Sequence, residues 1–245
     1  MITFNYDTHM HVDLYKNTKE VIDYIEKNKS YTIAVTNLPI LYEKYCREYQ
    51  NLKYVRFALG LHPELAFQYK EQIPLMIEHI KAAKYIGEVG LDYVTTSSDN
   101  RETQRNAFAQ LIEQCDKYGG KILSVHSRRA AKDVLSIIGN SFNGKVILHW
   151  FSGTLRELMI AINSGYYFSI NSDMINSKNG IELIKNMPLD RILIESDAPF
   201  TKDTKKTYSL DFILKIEEGL SKIKGIDSES TIQILRRNFK CLLDI

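Results

Sequence analysis

The chain has 245 residues, of which 44% are hydrophobic and 25% are charged, and its formal net charge is +2. This composition excludes a disordered chain and is typical of a globular protein that can bury a substantial core. The small net charge neither supports nor excludes a nucleic-acid substrate, because an enzyme that grips a few nucleotides needs no large basic excess. No apolar run is long enough to cross a membrane and no secretory signal is evident, so we expect a cytoplasmic protein.

Eight apolar runs rich in β-forming residues follow one another along the chain, and helical patterns separate them. Several runs are continuous rather than alternating, which is typical of strands buried on both faces in a parallel sheet. The predicted strands cover residues 2–8, 32–38, 54–60, 84–90, 121–126, 145–150, 166–171 and 191–196. Helices are predicted at residues 18–29, 71–81, 101–117, 129–138 and 155–163, with two terminal helices at 208–220 and 228–243.

This alternation of strand and helix predicts an α/β protein of TIM-like (β/α)8 architecture, with the C-terminal helices packed outside the barrel. No linker or low-complexity segment interrupts the pattern, so residues 1–245 are predicted to form a single domain. An open doubly wound sheet is the competing arrangement. It would not easily bring residues from strands one, four, five, six and eight to one place.

Histidine or acidic residues stand at the ends of five of the predicted strands. In barrel enzymes, the catalytic groups lie at the carboxyl ends of the strands. Histidine and carboxylate are also the ligands that borderline and hard divalent cations prefer. These side chains are therefore predicted to converge on a metal site, with the ligands His9, His11, Glu88, His126, His149 and Asp197.

Two divalent cations about 3.5–4 Å apart would suit this ligand set, with Mg2+, Mn2+ and Zn2+ as the candidates. One cation would take the two histidines of the first strand with Glu88 and Asp197. The other would take Glu88 with the histidines at the ends of strands five and six. Asp197, hydrogen-bonded to a shared water, is the predicted general base. The predicted chemistry is hydrolysis.

The motifs around these residues together resemble the TatD family of metal-dependent deoxyribonucleases, within the amidohydrolase-like barrel superfamily. The resemblance implies a TIM-like barrel with a two-metal site, and 3′-to-5′ exonuclease activity on single-stranded or frayed DNA. The matching segments occur in the family's order and are DTHMHVD (7–13), GLHP (60–63), GEVGLDY (87–93), HSR (126–128), HWFSG (149–153), ESDAP (195–199) and RNF (237–239).

The resemblance also implies roles for side chains beside the predicted ligands. His62 and Arg128 would face the scissile phosphate, as catalytic and substrate-binding groups. Asp92 would orient a ligand histidine. Tyr93 and Trp150 would stack on a base. Two plain alternatives stay open: a solvated Arg128 at the start of a helix, and a Trp150 that packs under the mouth of the barrel.

Two departures from the family pattern leave the substrate preference open. Trp150 stands where the family usually has a small residue or cysteine, and residues 200–206 replace a longer, arginine-rich loop. This compact form is similar to TatD-like members of Qat-type anti-phage operons. That similarity would imply an antiviral role and other proteins of the operon as partners, besides the DNA substrate.

Two rival functions remain. The first is a related barrel metallohydrolase that acts on an ester or amide, including aminoacyl-tRNA, and the second is a metal-binding scaffold in a defence complex. Amide-hydrolysing relatives often carry a carboxylated lysine on the fourth strand, where this chain has Glu88, which favours the nuclease. None of the six predicted ligands is lost, which argues against the scaffold.

Overall fold

Eight parallel strands form the centre of the molecule in a computed structural model that describes residues 5–244. They are hydrogen-bonded in chain order within two sheets, so the predicted barrel is confirmed. The first predicted strand begins before the described residues, and the observed strand runs on to Met10. The strands are β1 (Asn5–Met10), β2 (Ser30–Val35) and β3 (Val55–Ala58) in one sheet, and β4 (Tyr85–Gly90), β5 (Lys121–His126), β6 (Gly144–His149), β7 (Tyr167–Ile170) and β8 (Ile192–Ile194) in the other.

Backbone contacts at two seams close the sheets into a barrel. Between β1 and the end of β8, Met10 pairs with Ala198, and the His11 N–H donates to the Ala198 carbonyl at 2.8 Å. Between β3 and β4, Leu59 pairs with Ile86, and the Gly87 N–H donates to the Leu59 carbonyl at 2.8 Å. The ends of β1, β4 and β8 therefore meet at one mouth.

Helices follow most of the strands and cover the barrel. Three were not predicted, namely α2 (Pro39–Glu48), α3 (Pro63–Ala66) and α8 (Lys178–Asn186). Two of these give little periodic signal, because α3 has only four residues and α2 buries only Pro39 and Tyr45. The helices are α1 (Thr18–Lys27), α2 (Pro39–Glu48), α3 (Pro63–Ala66), α4 (Ile73–Ile80), α5 (Ser98–Tyr118), α6 (Ala131–Ile138), α7 (Leu155–Asn163), α8 (Lys178–Asn186), α9 (Asp211–Lys224) and α10 (Ser228–Leu243).

The terminal helices pack outside the barrel, as predicted. Helix α10 contacts β8 and α9, and its Phe239 ring stacks on Tyr6 of β1 with ring centroids 4.2 Å apart. Both rings are buried, so α10 covers the amino-terminal end of the first strand. Within residues 5–244, no helix has the length and apolar character needed to cross a membrane.

Candidate active site

Glu88 lies at the centre of a group of histidines at the mouth of the barrel. It is buried at the end of β4, and its two carboxylate oxygens face different partners. Oε1 lies 2.6 Å from Nδ1 of His126 and 2.8 Å from Nε2 of His149. Oε2 lies 3.1 Å from Nε2 of His11 and 3.4 Å from Nε2 of His62. Glu88 is therefore placed to bridge two sets of imidazoles.

His9 of β1 and His11, which directly follows that strand, complete this group with Asp197. Nε2 of His9 and Nε2 of His11 lie 3.2 Å apart, and each lies 3.6 Å from Oδ1 of Asp197. The side chains of residues two apart point to the same side of a strand, as the sequence predicts here. The other ring nitrogen of His9 lies 2.7 Å from the Ser124 hydroxyl of β5, which fixes the orientation of the ring.

A close backbone approach between two loops brings His62 to Glu88. A Cβ atom added at Gly60 would lie 1.8 Å from the Thr36 carbonyl oxygen and 2.6 Å from the Glu88 nitrogen. Only glycine fits this position, since any side chain would force the strands apart. Two residues later, His62 is the N-cap of α3, and its Nδ1 accepts a hydrogen bond from the Glu64 N–H, which leaves Nε2 facing Glu88.

The surrounding histidines keep Glu88 charged. Burial by itself raises the pKa of its carboxyl, but the charges of His62, His149 and His126 more than offset this effect, and the pKa falls well below its usual range. Burial has the opposite result at His9, whose pKa it lowers together with the neighbouring His149. The site thus combines an anionic carboxylate with a neutral imidazole, and both are forms that bind metals.

Three buried side-chain atoms at the mouth have no hydrogen-bond partner among the residues that the structure describes: Oδ1 of Asp197, Nδ1 of His11 and Nδ1 of His149. Burial raises the pKa of Asp197 to about 7. Such unpartnered groups are rare in protein interiors, because each costs free energy unless something binds it. The Asp197 oxygen lies within 4.8 Å of the nitrogens of His9 and His11, so a divalent cation fits this donor set.

The structure brings all six predicted ligands together, but it groups some of them differently from the prediction. One compact group joins Glu88 with His9 and His149, whose rings stack with centroids 3.9 Å apart. Another joins Glu88 with His126 and His62, which the sequence placed on the phosphate rather than among the ligands. His62 is thus close enough to Glu88 and His126 to serve as a metal ligand, besides its predicted role as a phosphate contact.

Asp92 connects one of these histidines to Arg128. One Asp92 oxygen lies 2.8 Å from Nε2 of His126 and accepts a 2.8 Å hydrogen bond from Nε of Arg128. Asp92 is buried, and its own N–H donates to the Gln104 side chain at 2.7 Å. The terminal nitrogen of Arg128 reaches the exposed Glu64 at 2.9 Å. The buried Asp92 carboxylate therefore holds the Arg128 guanidinium at the mouth of the barrel.

Glu195 is a buried neighbour of the site for which the sequence predicted no role. It is fully buried, it lies 3.6 Å from Nδ1 of His149, and it accepts hydrogen bonds from the side chains of Ser169 and Asn171. The Trp150 N–H also donates to it, at 3.1 Å. In the sequence, Glu195 is apparent as part of the matching segment ESDAP (195–199) and by its position two residues before Asp197, which predicts that both point to the same side of an extended chain.

A cavity of about 360 Å3 opens above this group, and its lining comes from the carboxyl ends of six strands (β1, β3, β4, β5, β6 and β8) or the loops that follow them. The sequence predicted most of the lining but not Phe200, Glu64, Ser127 or Ser152. Tyr93 does not line this cavity: its hydroxyl donates to Asp133 at 2.8 Å and its ring lies under Arg101. The lining residues are His11, His62, Glu64, Glu88, His126, Ser127, Arg128, His149, Trp150, Ser152, Asp197 and Phe200.

The sequence matches one family model along almost its whole length. The model is described as TatD related DNase, and it covers residues 6–244. The human deoxyribonuclease TATDN3 is 26% identical over 252 residues, which cover 95% of this chain and 92% of that protein. A putative deoxyribonuclease TATDN1 homologue of Vairimorpha ceranae is 32% identical, covering 74% of this chain and 72% of its own. An uncharacterized metal-dependent hydrolase of Buchnera aphidicola is 30% identical, covering 99% and 100%.

Solved structures share the same barrel. The TatD homologue YjjV of Escherichia coli superposes with a TM-score of 0.82 over 98% of both chains, at 17% identity. The phosphotriesterase homology protein of Escherichia coli, solved with phosphate in its active site, superposes with a TM-score of 0.64 over 98% of both chains, at 16% identity. At these identities the likeness shows a common fold.

Proposed function

The chain belongs to the TatD family of metal-dependent deoxyribonucleases, and from that premise we propose that it removes nucleotides from the 3′ end of single-stranded or frayed DNA. The observation that carries the proposal is the divided contact of Glu88, which presents one carboxylate oxygen to each of two histidine sets beside the unpartnered oxygen of Asp197. A bridging carboxylate with an acid beside it is the arrangement that a two-metal hydrolase needs.

Two divalent cations held by these residues would supply a water of lowered pKa and positive charge for the phosphate oxygens. We assign the first cation to His9, His11 and Asp197 with Glu88. Glu88 would share the second with the histidines that face its other oxygen, His126 and His149. Magnesium, manganese and zinc are all compatible with this mixture of imidazole and carboxylate.

In the proposed reaction, the phosphodiester enters the cavity with its phosphate against Arg128 and His62. A guanidinium and an imidazole can both donate hydrogen bonds to phosphate oxygens. The water oxygen bonds to phosphorus while Asp197 takes a proton from the water. The bond from phosphorus to the 3′ oxygen of the upstream nucleotide breaks, and that oxygen takes up the proton that Asp197 had accepted, which returns Asp197 to its starting form. The products are a nucleoside 5′-monophosphate and a strand shortened by one nucleotide with a free 3′ hydroxyl.

The size of the cavity supports action at a strand end. About 360 Å3 lies near the lower limit for pockets that enclose a small molecule, so one terminal nucleotide is a better match than a stretch of duplex. Among the residues that line this cavity, Arg128 is the one arginine, so the cavity offers a single guanidinium to a phosphate.

The test is cleavage of single-stranded DNA labelled at its 5′ end, with magnesium, manganese or zinc supplied separately to protein freed of metal. We expect a ladder that shortens from the 3′ end and that disappears in the Asp197→Asn variant. Asp173→Asn is the matched control, because Asp173 lies in the loop after β7 and does not line the cavity. No cleavage with any of the three metals, in protein that binds them, would contradict the proposal.

We extend the proposal to anti-phage defence, on the similarity of the compact segment 200–206 to TatD-like members of Qat-type operons. The enzyme would act there in the cytoplasm, together with other products of its operon. The measurement is phage plating on cells that carry the complete operon, with and without Asp197→Asn. Equal plating on both strains would contradict the defensive role and leave the nuclease proposal intact.

A further inference from the structure

Phe200 is an exposed aromatic ring at the edge of the active-site cavity. It is 57% exposed, and it lines the same cavity as Asp197. The edge-to-face contact of its ring with His11 has centroids 5.2 Å apart and an interplanar angle of 89°. Single exposed apolar side chains are common on proteins. This one is distinguished by its contact with a predicted metal ligand and by the way its loop is held.

Hydrogen bonds of two buried threonines fix the loop that carries Phe200. The next residue, Thr201, is buried, and its hydroxyl donates to the Ser196 carbonyl at 2.8 Å. Thr204 is also buried, its hydroxyl lies 2.8 Å from that of Thr201, and its carbonyl accepts a 2.7 Å hydrogen bond from Tyr15. The exposed ring therefore stands on an ordered support, so a ligand that binds it has little ordering cost to overcome.

The cavity has two chemically different sides. His62 follows β3 and Arg128 follows β5, so both phosphate-binding candidates stand on one arc of the barrel. Trp150 follows β6 and Phe200 follows β8, which puts the two large aromatic rings on the adjoining arc, from β6 to β8. A nucleotide has the same two parts, a charged phosphate and a flat base. Its phosphate matches the first arc and its base matches the second.

We propose that Phe200 is the platform on which the base of the 3′-terminal nucleotide stacks while its phosphate is hydrolysed. This inference rests on the nuclease function proposed above and assigns one part of its specificity. Stacking on an aromatic ring tolerates every base, because every base has a π face. A paired terminal base would have to leave the duplex to reach Phe200. The same contact therefore accounts for a preference for single-stranded and frayed ends.

The experiment compares three single-stranded oligonucleotides of the same sequence. The first has every base, the second lacks the base of its 3′-terminal residue, and the third lacks the base of its 5′-terminal residue. Binding is measured in the Asp197→Asn background, so that no strand is degraded, and KM and kcat are measured with otherwise unchanged protein. The variants are Phe200→Leu, which removes the ring, and Phe200→Trp, which restores one. Tyr118→Leu is the control, because Tyr118 is an exposed aromatic residue at the last position of α5 and does not line the cavity.

Phe200→Leu is expected to weaken binding of the complete strand and of the 5′-abasic strand by about five- to a hundredfold, the range measured for loss of a base stack. Binding of the 3′-abasic strand should not change, because it has no terminal base to stack. KM should rise by the same factor with kcat nearly constant, and Phe200→Trp should restore both. Tyr118→Leu should behave as the unmodified protein does.

An equal loss for all three oligonucleotides would overturn the inference, because it would make Phe200 a general support of the loop. Unchanged binding in Phe200→Leu would also overturn it. In either case the enzyme would still shorten DNA from its 3′ end, and the proposed function would stand. Failure of the proposed function has a different signature, in which the protein with all its native residues binds the three metals but cleaves no DNA with any of them.

Discussion

The two ends of the barrel treat most of their buried polar groups differently, although the Ser30 hydroxyl at the amino-terminal end of β2 also has no hydrogen-bond partner among residues 5–244. At the amino-terminal end of the strands, the side chain of Asn238 in α10 donates to the carbonyls of Leu189 and Ile192 at 2.6 and 2.8 Å. The buried Tyr6 hydroxyl donates to the Leu235 carbonyl at 3.1 Å. Each of these polar groups has a hydrogen-bond partner within the protein, so these contacts stabilise the fold and need no ligand.

At the carboxyl-terminal end, similarly buried groups are left without partners. Oδ1 of Asp197 and Nδ1 of His11 accept and donate no hydrogen bond among residues 5–244. Several imidazoles instead crowd around the single carboxylate of Glu88. The fold is thus stabilised at one end of the barrel and left electrostatically incomplete at the other. Substitutions at the two ends should therefore change different measurements.

Glu88→Gln at the open end should have the largest effect on activity. The amide keeps the shape of the side chain but removes the charge that both histidine sets share. We expect loss of at least one bound metal per chain and a fall in DNA hydrolysis of about a thousandfold or more, since a bound metal stabilises the transition state by several kcal/mol. Metal content after dialysis and the rate of nucleotide release measure the two effects.

The folded state should survive this change, which circular dichroism and the unfolding temperature will show. Glu78→Gln is the matched control, because Glu78 is an exposed glutamate of α4. It should keep both metal and activity. Full hydrolysis in Glu88→Gln would contradict the assignment of Glu88 as a bridging ligand.

Asn238→Leu at the closed end should have the opposite pattern. It removes the donors for two backbone carbonyls and leaves those carbonyls buried without partners, which lowers the free energy of unfolding by about 2–4 kcal/mol. Activity per folded molecule should not change, because Asn238 lies at the other end of β8 from Asp197. Urea denaturation and a rate normalised to folded protein separate the two quantities.

Arg237→Leu provides the reference, since Arg237 is the exposed neighbour of Asn238 on the same helix. Its free energy of unfolding should stay within about 0.5 kcal/mol of the unchanged protein. A fall in the specific activity of Asn238→Leu at full folding would remove the contrast between the two ends of the barrel.

The strand ends of this site could be predicted from sequence, because each ligand follows an apolar run directly and the barrel brings strand ends together. The orientation of loop residues could not. Tyr93 is adjacent to Asp92 in sequence, yet Asp92 reaches His126 while the Tyr93 hydroxyl turns to Asp133. Phe200 carries no local signal at all, since its place at the cavity depends on the packing of the loop beneath it.

The same limit applies to the helices. Residues 101–117 and 228–243 show a clear apolar stripe and were predicted, with α5 observed three residues longer at its start. Helix α2 buries only Pro39 and Tyr45, so its pattern is too weak to detect without the barrel against which it packs. Helix α8, by contrast, buries Leu183 and Ile184 at adjacent positions and was still overlooked.

Asp92→Asn should have an intermediate effect at the open end. The Asp92 carboxylate is buried and holds both His126 and Arg128 at 2.8 Å, so its loss frees one imidazole and one guanidinium at once. Partners of metal-binding histidines typically affect metal affinity or activity by about 10–100-fold. We expect a loss in that range, measured as the metal concentration at half-maximal activity. A change below about twofold would show that His126 keeps its orientation without Asp92.

Glu64→Gln tests the outer partner of the same arginine and should have the smallest effect. Glu64 and Arg128 are about half exposed, at 53% and 48%, whereas Asp92 on the other side of the guanidinium is 1% exposed. Exposed ion pairs contribute at most about 1 kcal/mol and are screened by salt. The pair also holds a negative charge where the proposed phosphate binds.

Removing that charge should therefore lower KM for single-stranded DNA by about two- to fivefold at low ionic strength, with kcat unchanged. The difference should vanish at about 0.5 M salt, where the Debye length is only a few ångströms. Asp92→Asn should keep its defect at high salt, because a buried contact is screened much less. If the two variants instead responded to salt alike, burial would not be what separates the inner contact of Arg128 from the outer one, and the guanidinium would have no fixed anchor.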